Sequence, residues 1–255
     1  MYRVLRAGEW DETLAGVCAL AVMSKAPRAG KVKTRLAPAL GFEGAAAINI
    51  CFLRDTTRNI ADVAAAGAAA GLVCYTPVGD EEAFDHLLPH GFSLIAQRGD
   101  GFGERLLAAA EDILSLGYGA VCLIDSDSPT LPQKALRMAV RELARPGDRV
   151  VLGGSADGGY YLIGLTKAFA EPFENITWST ASVYAETVAQ VRGAGLELVE
   201  LPVWYDVDDA ETLAVLEREL MGGERPKFAA VGGPEGYDAK ATREFLVERL
   251  ARLNI

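Results

Sequence analysis

Residues 20–40 read LAVMSKAPRAGKVKTRLAPAL, an apolar run that breaks into a loop carrying Lys25, Arg28, Lys31, Lys33 and Arg35. Five cations therefore fall within eleven residues of a chain whose formal net charge is −10. A charge run alone is ordinarily a solvated face. This one follows a strand-like run, contains Pro27 and Gly30, and leads into a helix start at Thr34, which is how open α/β sheets build anion sites. The loop reads as a holder of nucleotide phosphates, with Lys25, Arg28, Lys33, Thr34 and Arg35 as candidate ligands.

Outward from that loop the chain alternates. Gly16 to Met23 is continuously apolar, as expected of a strand buried on both faces of a parallel sheet. MYRVLRAGEWDETLAG ahead of it reads as a short extension and lacks the apolar core of a secretory signal. Helical spacing over Gly44 to Val63 is followed by a strand at 72–76, a short helix at Asp80 to Leu87, a strand at Phe92 to Ala96 and a helix from Gly103 to Leu116. Residues 120–124, AVCLI, form another apolar strand. Helix over Leu131 to Ala144, strands at Arg149 to Leu152 and Tyr160 to Leu165, helix over Ala181 to Arg192, strand at Leu196 to Val203 and helix over Ala210 to Leu220 complete the alternation. Strands of four to eight residues between longer helices predict an α/β fold, a mostly parallel Rossmann-like sheet with helices on both faces. A single domain over 1–255 is expected, with its core over about 17–217 and a helical appendage over 218–255.

Half of the 255 residues are hydrophobic and 24% are charged, an ordinary globular mixture. The longest uncharged apolar stretches, Leu14 to Ser24 and Gly117 to Ile124, fall short of the roughly twenty residues a bilayer requires, so no membrane span is expected. The acidic balance argues against nucleic acid as a partner, because a broad positive surface is lacking. Cys18, Cys51, Cys74 and Cys122 form no CxxC pair and read as reduced core residues of a cytoplasmic protein. His86 and His90 are separated by Pro89, which breaks any helix that would aim both at one metal.

Carboxylates gather at strand ends. Asp125 and Asp127 follow the 120–124 strand, the edge at which open sheets bind ligands, and hard oxygen donors there suit Mg²⁺ or Mn²⁺ on a diphosphate. A plain helix cap and turn is the competing reading. Asp206, Asp208 and Asp209 form a second cluster, in which Asp208 with Glu211 has capping-box spacing. Asp157 lies in GGSADGGYY, between glycine pairs that permit close backbone approach, either as a turn former or as an aimed acid or base. Gly99, Gly101 and Gly103 precede Glu104 and Arg105 as a flexible helix start or as amides facing a nucleotide. Trp178, Ser179 and Thr180 precede a helix as a cap with a core tryptophan or as substrate contacts. Gly30-Lys31 is not a P-loop, since Ser or Thr does not follow the lysine and no glycine lies five positions before Gly30.

The ordered motifs AVMSKAPRAGKVKTRLAPALG, GDGFGERL, LIDSDSPTL, GGSADGGYYLIGL, WST and YDVDDAETL resemble those of a bacterial family of GT-A-like transferases, known as radical-SAM/selenodomain-associated or arsenosugar-type glycosyltransferases. The likeness spans about residues 17 to 217. It implies a nucleotide-diphospho-sugar transferase fold, a nucleotide across the first strand's loop, and a divalent metal, Mg²⁺ or Mn²⁺. In the family pattern the position of Asp127 is the regular acid, that of Asp125 is often small, and Pro commonly stands where this chain has Gly154. The chain is also similar to guanylyltransferases of deazaflavin and molybdenum cofactor synthesis.

The expected activity is a metal-dependent glycosyltransferase. Asp127, Asp208 and Asp125 would be metal ligands, and Gly103 and Arg105 would join the basic loop on the nucleotide. Asp157 would orient or deprotonate the acceptor, with Asp127 beside it in the catalytic set, and Gly158, Gly159, Tyr160, Trp178, Ser179 and Thr180 would face the substrate. The partners would be a nucleotide sugar, or an NTP in the nucleotidyltransferase alternative, and a small-molecule acceptor. A non-catalytic nucleotide-binding protein is the third reading. Oligomeric state stays open.

Overall fold

The computed structural model describes residues 2–226, 228 and 233–253. Eight strands among them form one sheet: β1 (Arg3–Leu5), β2 (Cys18–Lys25), β3 (Ala69–Thr76), β4 (Ser93–Ala96), β5 (Ala120–Ile124), β6 (Arg149–Ser155), β7 (Tyr160–Leu165) and β8 (Glu197–Trp204). Six helices accompany them: α1 (Ala37–Ala64), α2 (Phe102–Leu114), α3 (Gln133–Leu143), α4 (Val183–Gly193), α5 (Ala210–Gly222) and α6 (Lys240–Leu253). The strand order is β1-β4-β3-β2-β5-β7-β6-β8. Only β7 runs antiparallel to its neighbours, β5 and β6. The expected mostly parallel α/β sheet is therefore the observed one.

β2 sits between β3 and β5, with Val22 opposite Val73 on one side and Ile124 on the other. Its alternation divides the core: Cys18, Leu20 and Val22 face the layer of α1, α3, α5 and α6, while Ala19 and Ala21 face α2. A strand covered on both faces has no solvent side to carry polar residues, which explains its uninterrupted apolar run. After β2 the chain crosses to β3 on one side, and after β5 it crosses to β6 on the other. The crevice where the directions part lies at the carboxyl ends of β2 and β5.

Two readings change. Arg3–Leu5, expected as an extension ahead of the first strand, is itself the sheet's edge strand, paired in parallel with β4. Three residues carry too little periodicity to reveal this. The helix read over Gly44 to Val63 extends back to Ala37, across a break at Gly41 (φ 71°, ψ 166°). By length and composition alone the stretch Thr34–Ala64 is apolar enough to cross a bilayer. Its Ile48, Phe52, Leu53 and Ile60 are buried against the sheet, and Asn49, Asp55 and Asn59 are buried with them, so it packs as a core helix.

α6 is fastened through α1. Asp55 accepts from the backbone amides of Ala241 (3.0 Å) and Thr242 (2.8 Å) and from the Thr242 hydroxyl (2.6 Å), at the start of the helix. An acceptor there satisfies amides that have no intrahelical partner. Replacing Asp55 with Ala is expected to cost about 2–3 kcal/mol in urea unfolding, by removing a charged cap and orphaning buried donors.

Glu219 on α5 accepts from Tyr205 Oη (2.5 Å) and Thr130 Oγ1 (2.9 Å), joining α5 to the segments after β8 and β5. Burial pushes the Glu219 carboxyl up, against the two hydroxyl bonds that favour its charge. A folded-state value above the unfolded one makes this contribution complete below the ordinary glutamate range and lost as pH rises through the raised value. Glu219→Gln is expected to flatten the fall of the urea midpoint over that window. An unchanged pH slope would contradict the assignment.

Candidate nucleotide and metal site

A cavity of about 440 Å³ opens at the carboxyl ends of β2 and β5, lined by Lys25, Lys31, Lys33, Thr34, Arg35, Arg105, Asp127 and Asp208 among others. Its centre is an ion pair shared three ways. Lys33 donates to Asp208 Oδ1 (2.7 Å) and to the Val207 carbonyl (2.8 Å), and its Nζ lies 2.9 Å from Asp127 Oδ2. The Lys33 side chain is only 5% exposed, against 30% for Asp127 and 31% for Asp208. Burial works against the Lys33 charge, but Asp127 and Asp208 outweigh it and the net shift is upward. The backbone at Lys33 is left-handed (φ 47°, ψ 40°), and a short helical turn, Thr34–Leu36, starts directly after it. Arg35 also pairs with Asp208.

The acidic clusters interlock behind this pair. The Val207 amide donates to the Asp127 carbonyl at 2.9 Å, joining the loops after β8 and β5. Ser155 at the end of β6 donates to Asp206 Oδ1 at 2.7 Å. Asp125 accepts from Ser128 Oγ at 2.7 Å through Oδ2, while its Oδ1 is shut off from solvent and has no partner. Burial pushes Asp125 well above the usual carboxylate range, and Asp127 and Asp206 push it further. Asp206 is raised by burial and by Asp157 and Asp208, in part offset by Ser155.

The remaining expected residues divide between the cavity and its surroundings. Arg28 turns away to Asp80, at 2.7 Å from Nε and 2.5 Å from Nη2. Arg105 lines the cavity and donates from Nε to the Gly99 carbonyl at 3.0 Å. Glu104 takes the amides of Asp100 (3.0 Å) and Gly101 (3.1 Å), so these two are spoken for within the loop. Gly103 packs beneath Trp178, whose ring would lie 2.8 Å from any Cβ there. Trp178 makes edge contacts with Phe102 (5.1 Å between centroids) and Tyr160 (6.5 Å), so it backs the wall that Phe102 presents. The Tyr160 hydroxyl is buried without a partner. Ser179 is left-handed (φ 64°), and Thr180 donates to the Thr177 carbonyl at 2.7 Å, so both shape the turn before α4.

Asp157 sits in the β6–β7 turn, where its Oδ1 accepts from the Gly159 amide at 2.8 Å. Gly158 has φ 93°, and a Cβ on it would meet the Ala181 carbonyl oxygen at 2.1 Å, so only glycine fits. These contacts fix the turn and tie the Asp157 carboxylate to it through Oδ1, at the surface beside Asp206.

The capping assignment is corrected. Asp209, not Asp208, is the N-cap of α5, accepting from the amides of Glu211 (3.1 Å) and Thr212 (2.9 Å). Its extended backbone (φ −142°, ψ −178°) turns its side chain to the helix and frees Asp208 for the cavity. Also in the lining are Asn49, Thr76, Gln97 and Phe102, which sequence reading missed. Thr76 and Gln97 end or follow strands, and Asn49 is a polar residue on the buried face of α1; those were the available signals.

A family of uncharacterized proteins conserved in bacteria, DUF2064, matches residues 59–180. A solved structure from Desulfovibrio desulfuricans G20, assigned as a nucleotide-diphospho-sugar transferase, is 31% identical over 92% of this chain and 95% of its own, with a TM-score of 0.75. A nucleotidyl transferase from Methanothermobacter is 13% identical over 82% of this chain and 100% of its own, at a TM-score of 0.55. CMP:2-keto-3-deoxy-manno-octonic acid synthetase, solved with CTP, is 14% identical over 82% and 100%, at 0.53. The last two share the fold. No curated protein matches the chain. An open sheet with a cation-lined cavity at its switch point is the architecture of a nucleotide-using transferase. Through its identity to the Desulfovibrio protein, the chain belongs to the nucleotide-diphospho-sugar transferase family.

Asp209→Ala is expected to lower stability by about 1–2 kcal/mol in urea unfolding, while leaving any nucleotide-dependent thermal shift intact. Asp208→Asn keeps the cap and is expected to change that shift.

Proposed function

We propose that this chain is a metal-dependent glycosyltransferase that takes a sugar from a nucleotide sugar. The observation that carries the proposal is the pairing of Asp127 and Asp208 on the Lys33 ammonium, at the centre of a cavity also lined by Lys25, Lys31, Arg35 and Arg105. Two carboxylates within reach of a single cation suit Mg²⁺ or Mn²⁺, which bind through one or two protein carboxylates and complete their shell with phosphate and water. Among the described residues no three of His, Cys, Asp and Glu form a metal site by themselves. A metal here would take Asp127 and Asp208 as its protein ligands, with Asp125 behind them, and share the diphosphate. Bound there, the ion would offset charge developing on the leaving nucleotide.

The chain's own residues supply the rest. Lys25, Arg35 and Arg105 bind phosphate oxygens and hold the diphosphate as it departs, with Thr34 beside them. Arg28, held by Asp80, supports the loop from outside the cavity. Asp157 orients the acceptor hydroxyl and takes its proton as the acceptor oxygen bonds to the anomeric carbon and the bond from that carbon to the diphosphate breaks. The order of the motifs supports placing the chain in the radical-SAM-associated branch of the family. Free thiols at Cys18, Cys51, Cys74 and Cys122 suit a reducing cytoplasm.

Nucleotidyl transfer is the second reading, favoured by the lysines and arginines lining the cavity, which would also serve a triphosphate. An anionic acceptor would then attack the α-phosphorus of an NTP and release pyrophosphate without a general base. A thermal-shift screen of NTPs and nucleotide sugars with and without Mn²⁺, followed by product analysis, separates the two. A ligand at one hundred times its Kd stabilises by about 2.7 kcal/mol. Nucleoside diphosphate release from a nucleotide sugar supports glycosyl transfer, and pyrophosphate release from an NTP overturns it. Asp127→Asn is expected to abolish metal-dependent turnover while leaving the far-UV circular dichroism spectrum in place.

A further inference from the structure

We propose that Lys33 is a resident counter-ion of the metal site, which a divalent cation displaces, so that metal binding releases the Lys33 ammonium toward the phosphates. This rests on the nucleotide reading of the cavity and deepens it.

An ammonium has three protons to donate. Lys33 donates to Asp208 Oδ1 (2.7 Å) and the Val207 carbonyl (2.8 Å), and its Nζ is drawn to within 2.9 Å of Asp127 Oδ2. In this arrangement none remains for a phosphate, although Lys33 belongs to the cavity lining. The ammonium thus occupies the position from which one cation touches both Asp127 and Asp208. A second cation cannot approach both carboxylates without meeting it.

Lys33 and Arg35 match the charges of Asp127 and Asp208, with which they pair. The buried Asp125 Oδ1 has no partner of any kind. A buried polar oxygen without a partner is costly, and Asp125 stands two residues before Asp127. The Lys33 backbone is also held left-handed, a conformation uncommon for a side chain of this type. It follows Gly30, Lys31 and Val32 in the loop after β2, whose last residue is Lys25.

Exchange also explains a difficulty in the charge arrangement. Before substrate arrives, two carboxylates facing an open cavity would repel each other and any incoming diphosphate. Lys33 removes that repulsion. When the metal arrives with the diphosphate, Lys33 is freed beside the same phosphates, so the positive charge of the site rises as the negative charge enters.

The test is a titration of the full chain with Mn²⁺ alone, followed by electron paramagnetic resonance of the free ion, for the wild type, Lys33→Met and the double variant Lys33→Met/Asp127→Asn. Lys33→Met is expected to bind Mn²⁺ at least tenfold more tightly than the wild type, and the double variant to lose that gain. Equal affinity of wild type and Lys33→Met would overturn the exchange. So would a Lys33→Met gain that persists in the double variant. Should Lys33→Met fail to fold, judged by circular dichroism, the wild type supplies the measurement. Acetylation of Lys33 by acetic anhydride, read by mass spectrometry, is expected to rise several-fold at saturating Mn²⁺. Unchanged labelling with Mn²⁺ bound, or no Mn²⁺ binding at all, overturns the exchange. In those cases a nucleotide-dependent thermal shift without metal leaves the nucleotide reading standing, and its absence removes both.

Discussion

Lys33 carries a charge into a place where 5% of its side chain meets solvent, and such a charge is tolerated only when its donors are all met. The acceptors come from two different strand ends, Asp127 after β5 and Val207 with Asp208 after β8, while Lys33 itself lies in the loop after β2. One ammonium therefore ties three loops that are far apart in sequence. Removing a partner from a buried pair of this kind costs about 3–5 kcal/mol. The loops of the crevice are in this sense folded on one another as well as on the sheet. Backbone bonds from Val207 to Asp127, and from Asp125 to Tyr161, fix the same junction without charge.

The sheet makes this convergence possible. β2, β5, β6 and β8 all present their carboxyl ends on one side because the connections between them are parallel crossovers, and β7 is the antiparallel exception that lets β5 and β6 share a neighbour. The hairpin turn between β6 and β7 brings Asp157 to the same side. Carboxylates at three strand ends, gathered by topology, require cations from somewhere, and the basic loop after β2 is the nearest source. The density of charge in residues 25–35 and the acidity of 125–127 and 206–209 are complementary halves of a single balance.

Different levels of the chain were legible to different degrees. The alternation of apolar runs with helical spacing exposed the sheet, because a strand such as Cys18–Lys25, buried on both faces, has no choice of residue. The edge strand Arg3–Leu5 escaped, since three half-exposed residues carry no period. Asp127, Asp208 and the cations stood out because charged groups at strand ends are conspicuous. Asn49, Thr76, Gln97 and Phe102 did not, because each is uncharged, and only the packing of its element turns it toward the cavity.

By itself the sequence determined the fold class, the longer strands and the charged residues at their ends, since periodicity and charge are local properties. Tertiary structure decided how those residues are used. Whether Asp208 or Asp209 caps α5 depends on one backbone conformation at Asp209, which spacing cannot specify. That Arg28 turns to Asp80, and that Lys33 reaches the carboxylates instead of open solvent, depends on where loops separated by up to about 175 residues meet. Charge gives each of these side chains a set of possible partners; only the sheet's crossing order selects among them.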